Sequence, residues 1–227
     1  GAIDWVRLQE PGERRLLRRD GTVRWVRWSA SWVGVRGGRG EQLFALAEDV
    51  SEAHELACEI AHQASHDELT GLINRREIAR RLDRALETAH GGGQRHALCF
   101  IDLDQFKLVN DTCGHEAGDR FLCHFATRLA SQLRRGDWLG RLGGDEFAVL
   151  LHDTTLDEAE AAMARVHAAL AGQAFRWNGR AFGLNCCVGV VEINDEAIDA
   201  DWLLRAADAA CYVAKEEGRN RIRCYRD

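Results

Sequence analysis

Near the middle of the chain, Gly143-Gly144-Asp145-Glu146-Phe147 sets two glycines directly before two adjacent carboxylates. Apolar runs flank it, Trp138 to Leu142 before and Phe147 to Leu151 after, and both read as strands. Gly-Gly takes the positive φ angles that short hairpin turns require, so a tight hairpin is predicted. A turn without side chains also lets backbone approach a ligand closely. Two adjacent acids at such a tip repel unless a proton or a cation relieves them. A hard divalent metal carrying phosphate oxygens is one such relief; an ordinary acidic surface turn is the plain alternative.

Either side of this hairpin the pattern divides into three stretches. Residues 1–50 are β-rich, with strands predicted at Arg14 to Arg19, Thr22 to Val35 and from Glu41. Asp20-Gly21 marks the first turn, and Gly34 to Gly40, with four glycines, reads as a loop. Trp25, Trp28 and Trp32 on the long strand read as packing residues. In residues 51–65, Leu56, Ile60 and Ala64 recur at helical spacing behind Ser51 as N-cap. This predicts a connecting helix, paired with its twin in a dimer or packed on its own domain. From His66 on, helices and strands alternate: a helix over Arg75 to His90, a loop at Gly91-Gly92-Gly93 and a strand over Ala97 to Leu103. A helix over Gly118 to Arg135 precedes the hairpin. After it come a helix over Leu156 to Ala171, a strand over Gly183 to Ile193, a helix over Ala200 to Glu217 and a strand over Arg221 to Cys224. The order predicts an α+β fold: a ferredoxin-like βαββαβ core with extra helices and a hairpin, its antiparallel sheet covered by helices on one face.

The 227 residues are 46% hydrophobic and 29% charged, which fits a globular chain with a real core. A net charge of −6 without a long basic run argues against a nucleic-acid duplex as partner. No apolar stretch is long enough for a membrane span and no signal peptide is visible, so no membrane contact is expected within this chain. The start at Gly1 without Met reads as a processed or excised fragment of a longer protein, one compatible with an upstream membrane anchor. The eight cysteines include no C-x-x-C pair and most sit in apolar segments, which favours reduced thiols in a cytoplasmic setting. The adjacent Cys186 and Cys187 are expected on opposite faces of one strand. His62 and His66 alone make a poor zinc site.

In a βαββαβ order the first core strand neighbours the central hairpin. That strand ends in Phe100-Ile101-Asp102-Leu103-Asp104, so Asp102 is predicted to face Asp145 and Glu146. Three carboxylates at one sheet edge, with the Leu103 carbonyl, make a candidate site for one or two Mg²⁺ shared with substrate phosphates.

Five spaced segments, in order, resemble the GGDEF family of diguanylate cyclases. They are Asp67 to Arg76, Asp102 to Asp111, Gly114-His115 with Gly118-Asp119, Arg141 to Phe147, and Ala207 to Tyr212 with Lys215 and Gly218-Arg219-Asn220. The resemblance covers about Ser65 to Arg226 and implies a bacterial enzyme joining two GTP into cyclic di-GMP with release of pyrophosphate. It implies Asp102, Asp145 and the Leu103 carbonyl as ligands of Mg²⁺, with Mn²⁺ able to stand in. Glu146 would bind the second metal of each half-site and assist loss of the 3′-hydroxyl proton. Gly143 and Gly144 would lie against the nucleotide, Asn110 and Asp119 would read guanine, and Lys107, Lys215 and Arg219 would neutralise phosphate charge. Each half-site holds one GTP, so the resemblance implies a C₂ homodimer.

Arg134-Arg135-Gly136-Asp137 resembles the family's inhibitory R-x-x-D motif, six residues before Gly143. Arg134, Asp137 and Arg165 would hold cyclic di-GMP as product inhibitor. The plain alternative is a helix C-terminus whose arginines complement the macrodipole. Arg19 to Trp25 and Glu48 to Glu52 resemble the C-terminal strands of a PAS sensor. The alternative to an enzyme is a non-catalytic cyclic di-GMP receptor or a dimeric signalling scaffold. The organisation expected is therefore a partial PAS-like β fragment at 1–50, a linker helix at 51–65 and a cyclase domain at 66–227.

Overall fold

The front of the chain folds into a meander, and the computed structural model describes residues 12–34 and 41–226. The chain divides into two units, Gly1–His62 and Gln63–Asp227.

In the first unit, β1 (Gly12–Leu17), β2 (Val23–Gly34) and β3 (Glu41–Asp49) pair antiparallel in that order. Asp20 closes the first turn by accepting from the Thr22 N–H at 2.8 Å and the Thr22 hydroxyl at 2.7 Å. The predicted glycine loop falls at residues 35–40, outside the described residues, as does the Trp32 side chain. Helix α1 (Ser51–Ser65) follows. The Ser51 hydroxyl, expected to cap α1, instead accepts the Trp25 N–H at 2.9 Å, and the Trp25 indole stacks on His54 at 4.1 Å. The first turns of α1 therefore pack on β2. Further along the helix, Leu56 and Ile60 stay exposed.

The second unit runs β4 (Ile73–Asn74), α2 (Arg75–Gly92), β5 (His96–Leu103), α3 (Phe106–Cys113), α4 (His115–Ala130), β6 (Trp138–Gly143) and β7 (Glu146–Leu151). It continues α5 (Leu156–Ala171), β8 (Ala174–Trp177), β9 (Arg180–Gly183), β10 (Cys186–Ile193), α6 (Ala200–Glu216) and β11 (Ile222–Cys224). The main sheet has the order β11-β10-β5-β7-β6-β4. Its four central strands are antiparallel, the split βαβ order, and β11 and β4 join the edges in parallel. Local signals start the helices: Asn74 caps α2 through the Glu77 N–H, Thr155 and Glu158 form a capping box on α5, and Asp199 caps α6.

The sheet is covered on both faces, where helices on one face were expected. All eight residues of β5 are buried. Cys99, Ile101 and Leu103 meet Phe121, Phe125 and Leu129 of α4 and Met163 and Val166 of α5. Leu98 and Phe100 meet Ile78 and Leu82 of α2 and Leu203 and Ala207 of α6. The helices inside the βαββαβ order share one face; the added helices cover the other. Each fully buried Leu or Phe contributes about 1.5–3 kcal/mol, which favours two-sided cover for so apolar a strand. Cys186 and Cys187 do point into opposite cores, and all eight cysteines are free. Strand β10 touches α6 backbone to backbone: a β-carbon on Gly189 would stand 1.9 Å from the Ala207 carbonyl oxygen and 2.4 Å from the Cys211 nitrogen.

Other boundaries also differ from the sequence reading. Gly91 and Gly92 end α2 instead of forming a loop, and Gly93 alone takes the left-handed cap. The helix predicted from Gly118 starts at His115, behind a separate α3 that ends at Gly114. It stops at Ala130, short of Arg135. The strand predicted over Gly183 to Ile193 breaks after Gly183, because an added hairpin, β8–β9, turns through Asn178-Gly179 with φ of 45° and 80°. No described helix is long and apolar enough to cross a membrane.

Candidate active site

The hairpin tip is built as its glycines imply. Gly143 has φ 143° and Gly144 φ 53°, and the register shifts between Arg141 and Gly143, a bulge at Leu142. Leu142 points into the core while Arg141, one residue back, reaches around the turn. Its guanidinium donates to the Gly144 carbonyl at 2.8 and 3.0 Å and to both Asp67 oxygens at 3.1 Å. Asp67 Oδ1 also accepts from the Thr70 N–H and hydroxyl. Burial tends to raise the Asp67 carboxyl, but the Thr70 bonds and Arg141 hold it below the usual range. Arg141 thus clamps the turn to the loop that opens the second unit.

Hydrogen-bond register places the carboxylates. Asp102, near the end of β5, is the cross-strand partner of Glu146, the first residue of β7. The Leu103 N–H donates to the Asp145 carbonyl at 3.2 Å, which fixes the tip beside the strand end. Burial raises the Asp102 carboxyl above its ordinary value, and Asp145 and Asp104 add to this against Lys215. Burial likewise raises Glu146, with Asp102, Asp208 and Asp145 repelling its charge and Arg75 opposing them. Lys215, in the last turn of α6, sets its Nζ 2.7 Å from Asp102 Oδ2. Burial pulls this ammonium down, but its hydrogen bond and ion pair with Asp102 outweigh burial and hold it above the usual lysine value.

These residues fit a hard cation. Charge crowded on half-buried acids is relieved by one. Among the described residues no three His, Cys, Asp or Glu side chains close a ready-made metal cage, and Asp102 has one oxygen on Lys215. Mg²⁺ suits such an open edge, because it is held by one or two carboxylates and fills its shell with water and substrate phosphates.

The remaining predicted residues lie around this edge or apart from it. Lys107 is exposed on α3, and Asp119 is exposed on α4. Asn110 lies across the start of α4: a β-carbon on Gly118 would stand 1.9 Å from Asn110 Oδ1. Arg219 sits in the loop after α6, 3.8 Å from Asp104. Arg134, Asp137 and Arg165 line one cavity of about 500 Å³ between the end of α4 and α5, together with Thr154 and Glu158. Arg134 stands four residues past the end of α4, so it is not a helix-end cation. It donates to Asp137 at 3.1 Å, to the Thr154 hydroxyl at 2.8 Å and to the His152 carbonyl. Sequence reasoning gave no role to Arg141, Asp67 or Asp104. An arginine two residues before a Gly-Gly turn was the available signal for the first.

Comparison with known proteins supplies the family. The model described as "Diguanylate cyclase, GGDEF domain" matches residues 64–221. The chain is 38% identical over 200 residues to "Probable diguanylate cyclase DgcE" of Escherichia coli, covering 88% of this chain and 18% of that one. It is 34% identical over 203 residues to "Diguanylate cyclase DgcM" of the same species, covering 89% and 48%. The chain therefore spans less than half the length of these relatives. Among solved structures, the GGDEF domain of TpbB from Pseudomonas aeruginosa superposes with a TM-score of 0.67 at 37% identity, covering 71% of this chain and 94% of that one. The coiled coil and GGDEF domain of DgcB from Caulobacter crescentus, in complex with c-di-GMP, gives a TM-score of 0.70 at 26% identity, covering 77% and 93%. The family model, the curated relatives and the superposed structures agree, and the chain belongs to the GGDEF-domain family of diguanylate cyclases.

Proposed function

We propose that this chain condenses two GTP into cyclic di-GMP and two pyrophosphates, each copy supplying one half-site of a C₂ dimer. The observation that carries the reading is the register pair Asp102–Glu146 with Asp145 and Lys215 at the same sheet edge. The 3′-hydroxyl oxygen of one nucleotide forms a bond to the α-phosphorus of the other. The bond to the bridging α–β oxygen breaks, and pyrophosphate leaves with that electron pair. Glu146, at the hairpin tip opposite Asp102, is placed to assist loss of the hydroxyl proton. Mg²⁺, one ion held by Asp102, Asp145 and the Leu103 carbonyl and a second by Glu146, would neutralise phosphate charge when bound. Lys215, Lys107 and Arg219 do the same from the chain itself, so positioning and electrostatics carry the catalysis. Asn110 and Asp119 read the guanine edge; adenine lacks the N1–H and N2–H donors that a carboxylate accepts.

The cavity holding Arg134, Asp137 and Arg165 is the proposed product site, large enough for a guanine base. The front meander we assign to the C-terminal part of a PAS-like sensor and α1 to the linker that sets dimer geometry, in a cytoplasmic setting. Incubating the chain with GTP and Mg²⁺ and identifying the product by mass spectrometry tests the reading. Cyclic di-GMP is expected; binding of cyclic di-GMP without turnover would establish the receptor instead.

A further inference from the structure

Asp104 follows β5 directly and is 8% exposed. A carboxylate so deeply placed needs partners for both oxygens. Its Oδ2 accepts the backbone N–H of Asn220 at 2.8 Å. Its Oδ1 accepts from the Cys187 thiol at 3.2 Å and lies 3.8 Å from the Arg219 guanidinium. The Asp104 N–H donates to the Asn185 carbonyl at 3.0 Å, so the residue is fixed from its backbone as well. One side chain thereby joins the end of β5, the start of β10 and the loop that leaves α6.

That loop is strained. Gly218, Arg219 and Asn220 have φ of 116°, 62° and 48°, three successive residues on the left-handed side. A residue with a β-carbon costs about 1–2 kcal/mol there. Such backbone persists only where its surroundings over-determine it. The Arg219 N–H returns to the Ala214 carbonyl at 3.1 Å and the Gly218 N–H to Lys215 at 3.3 Å, which ends α6. Beyond Arg219 the backbone is held by Asp104 through Asn220. The Arg219 side chain is 54% exposed, so its guanidinium keeps donors free for a ligand while the loop fixes its root.

We infer that Asp104 is a positioning residue: it locks the Gly218–Asn220 loop and so presents Arg219, with Lys215 one turn earlier, to the β- and γ-phosphates of the nucleotide. The inference rests on the reading of Lys215 and Arg219 as phosphate-binding residues. It predicts a loss confined to the phosphate end of the ligand, which a general loss of packing would not give.

The test is calorimetry on the full chain with Mg²⁺, using GMP and an α,β-methylene analogue of GTP that cannot release pyrophosphate. Asp104→Asn keeps the shape and one acceptor but removes the charge facing Arg219. The preference for the triphosphate over GMP should fall several-fold in Asp104→Asn and about ten- to hundredfold in Asp104→Ala, with GMP affinity unchanged. Should Asp104→Ala fail to fold, Asp104→Asn alone decides. If both Arg219→Ala and Lys215→Ala erase the preference while Asp104→Asn and any folded Asp104→Ala keep it whole, the positioning role is overturned. If the unmodified chain shows no preference for the triphosphate, the phosphate-binding reading itself fails, and the inference with it.

Discussion

Placing alanine at Gly118 separates nucleotide recognition from folding. In the interior of a helix, Gly→Ala ordinarily stabilises by about 1 kcal/mol. Here the added β-carbon would stand 1.9 Å from Asn110 Oδ1, 2.9 Å from Asn110 Cγ and 3.3 Å from Phe106 Cζ. No backbone atom blocks it, so the Asn110 amide swings aside at about 0.5–1.5 kcal/mol for the poorer rotamer. The two effects nearly cancel, and Tm should move by no more than about 4 °C. Recognition does not cancel. In the proposed reading Asn110 makes two hydrogen bonds to guanine; at about 0.5–1.5 kcal/mol each, their loss would correspond to a factor of roughly 5 to 150 in affinity. Calorimetry with the methylene analogue, beside a thermal melt, measures both terms. A double variant, Gly118→Ala with Asn110→Ala, should bind no worse than Asn110→Ala alone, since both remove one contact. Unchanged affinity in Gly118→Ala, or additive losses in the double variant, would refute the reasoning.

Further outcomes follow from the hairpin and the product cavity. Asp145→Ala should abolish product formation with the melt unchanged; near-normal turnover would remove this residue from the metal site. Glu146→Gln should also end turnover, yet stabilise the metal-free chain at neutral pH. Its carboxyl is raised in the fold, so the penalty is complete above that raised value and disappears below the ordinary carboxylate pKa of about 4. The Tm gap between variant and parent should therefore close as pH falls, and a gap that widened on acidification would contradict the assignment. Arg141→Lys offers one point charge where a planar fork spans Asp67 and the Gly144 carbonyl. Its kcat should fall about tenfold or more with KM little changed, and the reverse split would make Arg141 a ligand contact instead. Arg134→Ala should weaken cyclic di-GMP binding and raise the plateau of the progress curve while the initial rate stays; an unaltered plateau would leave the cavity without a feedback role.

What could be read from the sequence was whatever depends on neighbours along the chain. The Gly143-Gly144 tip, the apolar β5 and the order of elements needed only local pattern, and Asp102 opposite Glu146 followed from the βαββαβ order. What escaped needed tertiary information or was passed over. The start of α4 was misplaced because the helix was begun at Gly118, which lies inside it; Gly114 is the glycine that ends α3, and Gly118 is glycine for Asn110's sake. Asn178-Gly179 is a strong hairpin signal that went unused, since its flanking strands are only four residues long. Cover on both sheet faces was implied by eight successive buried positions in β5, a run that does not alternate. Arg141 and Asp104 act on segments 74 and 116 residues away in the chain, Asp67 and Asn220, and no local pattern announces such partners.

The close seat of α6 on β10 has a mechanical consequence. At Gly189 the obstructing atoms are backbone, so the helix cannot slide along the strand without breaking a contact that no side chain can cushion. Lys215 rides on that helix and Asp102 on the adjoining strand, so main-chain packing sets the spacing of the backbones from which they reach each other. An edge built this way behaves as a stiff die: it gives little to deformation, and in the proposed dimer its output would be tuned by how often, and how squarely, two such dies are brought face to face.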